Sequence, residues 1–123
     1  MKNIDNLKAG IPPGGIRDIF TVKVLVCYLL GASPLPLNEN QLHQIFDASG
    51  MTDYFTLAQT LSELEKSGHI VTGNGDGGEY LLKASGHEAA EELGNILPFS
   101  VKEKVLKAAA QIAWTDGQRG EIE

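Results

Sequence analysis

The sequence predicts an α+β fold, mostly helical, with a small β-hairpin set between two groups of helices. Three observations carry that prediction. Apolar residues recur at helical spacing over most of the chain. The pattern turns strand-like only at residues 69–72 and 79–82. Between those two runs lies Gly73-Asn74-Gly75-Asp76-Gly77-Gly78, a segment suited only to a flexible turn. With 123 residues, 42% of them hydrophobic, the chain has the size of one domain and the means to build a core.

Residues 1–15 read as a flexible N-terminal arm, because Gly10, Pro12, Pro13, Gly14 and Gly15 break any regular element. The segment IRDIFTVKVLVCYLLG follows, bounded by Gly15 and Gly31. Its β-branched residues would suit a strand, but a length of roughly 14 residues favours a helix. Beyond Lys23 it is apolar on nearly all sides, so it should pack on more than one face. Pro34 and Pro36 make the next stretch extended. Asn38 is suited to cap a second helix, with Glu39 and Gln41 in its first turn and Leu42, Ile45 and Phe46 on one face. Ser49-Gly50 ends it. Thr52 or Asp53 can cap a third helix, whose apolar stripe is Tyr54, Leu57, Ala58, Leu61 and Leu64, and Gly68 suits the left-handed position after its end.

After the hairpin, a fourth helix should run from about Ser85, its expected cap, to Leu97 and stop at Pro98. Ser100 with Glu103 spells a capping box for a fifth, striped by Val101, Val105, Ala108 and Ile112. Residues 115–123 read as a frayed tail, leaving 16–114 as the domain. One core is expected from Val24, Leu25, Leu42, Ile45, Phe46, Leu57, Leu61, Leu64, Ile70 and Leu82.

Several function classes find no support. The longest apolar run, residues 24–30, is far short of the roughly 20 residues of a membrane helix, and the N-terminus lacks the apolar centre of a signal peptide. A soluble, cytoplasmic protein without a membrane partner is therefore expected. Cys27, the one cysteine, lies inside that apolar run and should be a buried, inert thiol. His43, expected on a polar helix face, His69 and His87 are too widely spaced for a metal site. Gly73, Gly75 and Gly78 spell G-x-G-x-x-G, but a strand follows where a nucleotide fold needs a helix. Asn74, Asp76 and Glu79 lack the register of a calcium loop. No nucleophile–base set emerges, so neither catalysis nor a cofactor or metal is expected.

Helix, extended segment, helix, helix, strand, turn, strand is the order of a winged helix-turn-helix, with two extra C-terminal helices here. The stretch YFTLAQTLSELEKSGHI, then YLLKASGHEAAEEL, resembles winged-helix bacterial regulators: Leu61, Leu64, Lys66, Gly68 and Ile70 match the end of their third helix, and Tyr80, Leu82 and Gly86 match the segment after their wing, with Lys83 in place of a threonine. The segments IRDIFTVKVLVCYLL, NENQLHQIF, GMTDYFTLAQTLSELEKSGHI and LPFSVKEKVLKAA are similar to a winged-helix family of Firmicutes that has no assigned activity and whose members run longer at the C-terminus. The resemblance implies the fold and, by analogy, a dimeric DNA-binding transcriptional regulator.

In that reading Thr56, Gln59, Thr60, Glu63 and Lys66 face outward from the third helix toward the major groove, and Asn74 and Asp76 form the wing tip. Lys2, Lys8, Arg17 and Lys23, and the cluster Lys102, Lys104 and Lys107, are candidate phosphate contacts. The charge balance points elsewhere. Between residues 39 and 92 two basic residues, Lys66 and Lys83, stand against ten acidic ones, a balance of −8 in a chain of net charge −6. Phosphate neutralisation supplies most non-specific DNA affinity, so such a surface should repel a duplex. The alternative is a winged helix used as an acidic protein–protein interaction module. A homodimer is expected, through the first helix and through Leu106, Ala109, Ala110 and Trp114 of the fifth, the alternative being that the fifth helix folds back on the first helix of its own chain and covers it.

Overall fold

The computed structural model describes residues 16, 18–33, 36–73 and 78–122, with backbone alone over 113–122. The elements in order are α1 (Ile19–Ala32), β1 (Leu37–Asn38), α2 (Glu39–Ser49), α3 (Tyr54–Lys66), β2 (Ile70–Thr72), β3 (Glu79–Leu82), α4 (Ala84–Leu93), a 3-10 turn (Gly94–Ile96) and α5 (Phe99–Ile122). The fold is α+β and mostly helical, with one antiparallel sheet in the order β1-β3-β2. The expected arm, residues 1–15, and the turn residues 74–77 lie outside the described residues.

Capping chemistry sets the helix starts. The Asp18 carboxylate accepts from the Thr21 amide at 3.1 Å and from its hydroxyl at 2.6 Å, so α1 begins at Ile19. Ile16 is left outside the helix and buried. Its N–H donates to the Met51 carbonyl at 2.6 Å, and its carbonyl accepts from the Thr52 hydroxyl. Thr52 is therefore spent on Ile16, and Asp53 caps α3, accepting from the Thr56 amide at 2.7 Å. At α2 a reciprocal pair forms: Asn38 Oδ1 accepts from the Gln41 amide and Gln41 Oε1 from the Asn38 amide, both at 2.8 Å. Gly50 (φ 68°) and Gly68 (φ 82°) adopt the left-handed conformation that closes α2 and α3.

Four C-terminal boundaries differ from expectation. Helix α4 ends at Leu93 and gives way to the 3-10 turn rather than running to Leu97. Ser85 does not cap α4: the helix starts at Ala84, Lys83 occupies the cap position without a side-chain bond, and the Ser85 hydroxyl donates to the Gly68 carbonyl at 3.1 Å. Ser100 lies inside the first turn of α5, which starts at Phe99 with the Pro98 carbonyl accepting from the Val101 and Lys102 amides, both at 3.1 Å. The backbone of α5 stays helical to Ile122, past the expected end near residue 114.

The centre of the domain is α1, packed against α3, α4, α5 and β3. Its Val22, Val24, Leu25, Val26, Cys27 and Leu29 are buried, together with Leu42, Ile45 and Phe46 of α2, Leu57, Leu61 and Leu64 of α3, and Ile70 of β2; Leu82 is half-buried against them. The fifth helix folds onto α2 and α1 of its own chain through Val101, Val105 and Ala109. This corrects the expectation that α1 needs a second chain to cover it: the C-terminal helices do so. It also moves Ala109 from the expected dimer surface into the core, whereas Leu106 stays half-buried and Ala110 exposed. The Trp114 side chain lies outside the described residues.

In the hairpin Ile70 pairs with Leu82, Val71 with Leu81 and Thr72 with Tyr80, while Leu37 and Asn38 of β1 pair with Tyr80 and Glu79 on the other edge of β3. The base of the hairpin meets α4 so closely that only glycine fits at position 86. A Cβ there would come within 2.3 Å of Leu82 Cδ1 and 2.6 Å of the His69 carbonyl oxygen, whereas one at Gly94 would meet nothing within 4 Å. Gly86→Ala should therefore cost about 1–3 kcal/mol in urea unfolding. Gly94→Ala, at a helical φ of −59°, should be neutral or stabilising by up to about 1 kcal/mol. Equal effects of the two substitutions would refute the packing argument.

Candidate functional site

The surface of α3 follows from which of its residues the core takes. Leu57, Thr60, Leu61 and Leu64 are buried, so the stripe that faces out is Phe55, Gln59, Ser62 and Lys66. Two expected positions change sides. Thr60 is fully buried rather than outward, because its hydroxyl donates to the Thr56 carbonyl at 2.7 Å and needs no water. Tyr54, expected in the apolar stripe, is 61% exposed, and beside it Phe55, which the sequence reading missed, is 81% exposed. Thr56 is half-buried, and Gln59 and Lys66 are exposed as expected.

Three expected nucleic-acid contacts engage one another, with Glu63 between the other two. The Lys23 ammonium of α1 lies 2.8 Å from Glu63 Oε1, and the Gln59 amide donates to Glu63 Oε2 at 3.0 Å. Lys23, and after it Gln59, hold the Glu63 carboxyl below the usual carboxylate range. Across the other side of α3, the Thr72 hydroxyl donates to the Glu65 carboxylate and ties β2 to the helix. Lys2, Lys8, Arg17, Asn74 and Asp76 lie outside the described residues.

At the junction of α2 and α3 is a cleft of about 290 Å³, lined by His43, Gln44, Phe46, Asp47, Thr52, Asp53, Tyr54 and Leu57. His43, expected on a polar helix face, is largely covered. Its ring stacks on Tyr54 with centroids 4.2 Å apart and planes 17° apart, and its side chain is only 15% exposed. Its Nε2 is buried without a hydrogen-bond partner, and Glu39 Oε2 is 3.5 Å away. Phe55 meets the edge of Tyr54 at 5.6 Å. The cleft thus has an apolar floor, an aromatic wall and two carboxylates, and among the described residues no lysine or arginine lines it.

Other features are less suited to chemistry. Cys27 is buried, and loss of water pushes its thiol up to about 11. His69 Nδ1 lies 2.6 Å from the Ser67 hydroxyl at the end of α3. Among the described residues no group of three or more His, Cys, Asp or Glu side chains is placed to hold a metal ion, and no helix is long and apolar enough to cross a membrane. A second, shallower groove runs between α1 and α5, lined by Tyr28, Phe99, Lys102, Glu103, Leu106, Lys107 and Ala110. There the Lys102 ammonium sits 5.3 Å from the Tyr28 ring centre, and Phe99 is 77% exposed.

A mostly helical α+β domain with an aromatic, acid-edged end to its third helix is the class these observations define. The family model described as "Domain of unknown function (DUF4364)" matches residues 22–116, and the chain belongs to that family. No curated protein and no solved structure matches the chain.

The buried thiol has a consequence for stability. Its folded value lies above the ordinary 9.0, so the unfolded chain loses this proton first and is favoured as pH rises. The contribution is complete below pH 9 and disappears between about 9 and 11. Burial, with Glu39 and Glu65 adding, likewise raises the Tyr80 hydroxyl to about 12. Unfolding free energy should fall by up to about 1.4 kcal/mol per pH unit for each group, between about 9 and 11 for Cys27 and between about 10 and 12 for Tyr80. Cys27→Ala should flatten the slope between pH 9 and 11; an unchanged slope would show that Cys27 does not set it.

Proposed function

We propose that the chain is a winged-helix domain that serves as a protein-interaction module, presenting the outward face of α3 to a protein partner, with no catalytic step of its own. The element order and the strand order β1-β3-β2 support the winged-helix reading, with the β2–β3 hairpin as the wing and α4 and α5 as additions. The observation that carries the functional reading is the pair Tyr54 and Phe55, exposed at the start of α3 beside carboxylates. Rigid exposed aromatics are the side chains protein interfaces use as anchors, and an acidic surround opposes phosphate.

The second reading is a DNA-binding regulator. The fold favours it by analogy, and so does the exposed run Gln59, Ser62 and Lys66, since a glutamine can read adenine and a lysine can contact phosphate. Titration of a random-sequence duplex at decreasing salt separates the two. The interaction-module reading expects no binding even at low ionic strength. Duplex binding that weakens with salt and is lost in Gln59→Ala or Lys66→Glu would replace it with the regulator reading.

The open side of α5, with Phe99, Leu106 and Ala110, is the surface proposed for a homodimer. A contact of roughly 800 Å² per chain is a normal size for one. Light scattering at micromolar concentration should give twice the 13.2 kDa chain mass, and Leu106→Glu should return it to the monomer. A native mass of 13.2 kDa would rule the dimer out.

A further inference from the structure

We propose that the cavity between α1, the end of α3 and α4 binds a small neutral aromatic molecule bearing a hydroxyl group, of the size of a single-ring phenol. The proposal goes beyond the interaction-module reading and does not depend on what meets the outward face of α3.

The cavity follows from side-chain sizes. Phe20, Lys23, Val24 and Cys27 stand at helical spacing on one face of α1, and Ala89 and Leu93 of α4 line the same space. A longer side chain at position 89 would close the gap; alanine leaves about 240 Å³. Val24, Cys27 and Leu64 are buried at its floor, Leu93 is half-buried, and the Phe20 ring is 52% exposed beside it. The volume bounds the occupant. An apolar cavity of roughly 150 Å³ already takes a benzene ring, and drug-sized ligands occupy about 300 Å³ or more. One substituted ring therefore fits here, whereas a nucleotide or a peptide segment does not.

The polar residues of the lining decide the rest. They are Lys23, Ser67 and His69. Lys23, the one lining residue with a permanent charge, already lies 2.8 Å from Glu63 Oε1, so an anion would have to displace that carboxylate. A neutral ligand avoids the competition. His69 is the group placed to meet a polar substituent. The Ser67 hydroxyl lies 2.6 Å from its Nδ1, and its Nε2 takes no partner among the described residues. A ligand hydroxyl both donates and accepts, so it suits Nε2 in either neutral tautomer of the ring. A methyl group in its place would forgo that bond.

Three compounds of similar size test the site on the whole chain: p-cresol, toluene and benzoate, each titrated and followed by amide chemical shifts. The cresol should bind and move the amides of α1, the end of α3 and α4. Toluene should bind about fivefold more weakly for want of one hydrogen bond, and benzoate more weakly still. Cys27, the one cysteine of the sequence, reports on the same space. With p-cresol at about tenfold its Kd, the reaction of Cys27 with a neutral thiol reagent should slow by about tenfold. Ala89→Phe fills the cavity from a half-buried position and should abolish binding of p-cresol and toluene with the circular dichroism unchanged. His69→Phe should lower p-cresol to the affinity of toluene and leave toluene as it was, a split that a damaged fold would not produce. No shifts from p-cresol, or shifts that leave the Cys27 rate unchanged and persist in Ala89→Phe, overturn the proposal. Benzoate binding more tightly than p-cresol overturns it too, since the ligand would then be an anion. Either failure leaves the interaction-module reading, tested at α3, where it stood.

Discussion

A helix of 14 residues with Val22, Val24, Leu25, Val26, Cys27 and Leu29 all buried has no broad face to give to water over its central turns. That constraint on α1 organises the rest. It can be met only by elements on several sides, and α3, α4, α5 and β3 supply them. The C-terminal helices are therefore part of the core rather than an appendage: Val101, Val105 and Ala109 are as deeply placed as the residues of α2 they cover. The polar residue caught in this stretch, Lys23, reaches out to Glu63, so even the charge of α1 is spent on joining it to α3. An exposed or half-exposed pair of this kind adds little stability, but it fixes where two charges go.

The sheet is held to this frame at the base of the hairpin. Gly68 turns left-handed, the His69 amide closes on the Leu64 carbonyl at 2.9 Å, and the His69 carbonyl accepts from the Lys83 amide at 2.9 Å. The Ser85 hydroxyl reaches back to Gly68, and Gly86 lets α4 approach to the distance at which those bonds can form. Strand alternation then leaves Val71 and Leu81 opposite each other on the exposed face, with Ile70 and Tyr80 turned inward.

Much of this was legible in the sequence, and the reason differs from element to element. Asn38, Asp53, Gly50 and Gly68 mark boundaries through chemistry that acts within three or four residues, so no distant contact had to be known. The ten expected core residues lie on stripes whose spacing is local too. What failed depended on neighbours far away in sequence. Thr60 looks polar, but a threonine that satisfies its hydroxyl on the preceding turn can be buried, and its side of the helix was set by what α1 covers. Tyr54 looks apolar, yet its ring lies over His43, so that the tyrosine is exposed and the histidine shielded. Ser85 has a fitting type and position for a cap, but a carbonyl 17 residues earlier takes its hydroxyl. The exposed Phe55 had no local signal: a large apolar residue at a helix start is ordinarily inward-facing, and only packing shows that nothing covers it.

The distribution of charge can now be argued in three dimensions rather than along the chain. Four basic residues fall between residues 16 and 92: Arg17, Lys23, Lys66 and Lys83. Arg17 lies outside the described residues, Lys23 pairs with Glu63, and Lys83 occupies the cap position of α4. Lys66 alone remains on the outward stripe of α3, at the end of the helix away from the cleft. The carboxylates are not dispersed in the same way, since Asp47 and Asp53 line one cleft and Glu39 lies beside its histidine. Coulomb attraction falls with distance and is screened over about 10 Å in ordinary salt. An approaching chain therefore meets local charge rather than the net charge of the protein. Around the cleft between α2 and α3 the described lining residues include two carboxylates, Asp47 and Asp53, beside the exposed ring of Tyr54.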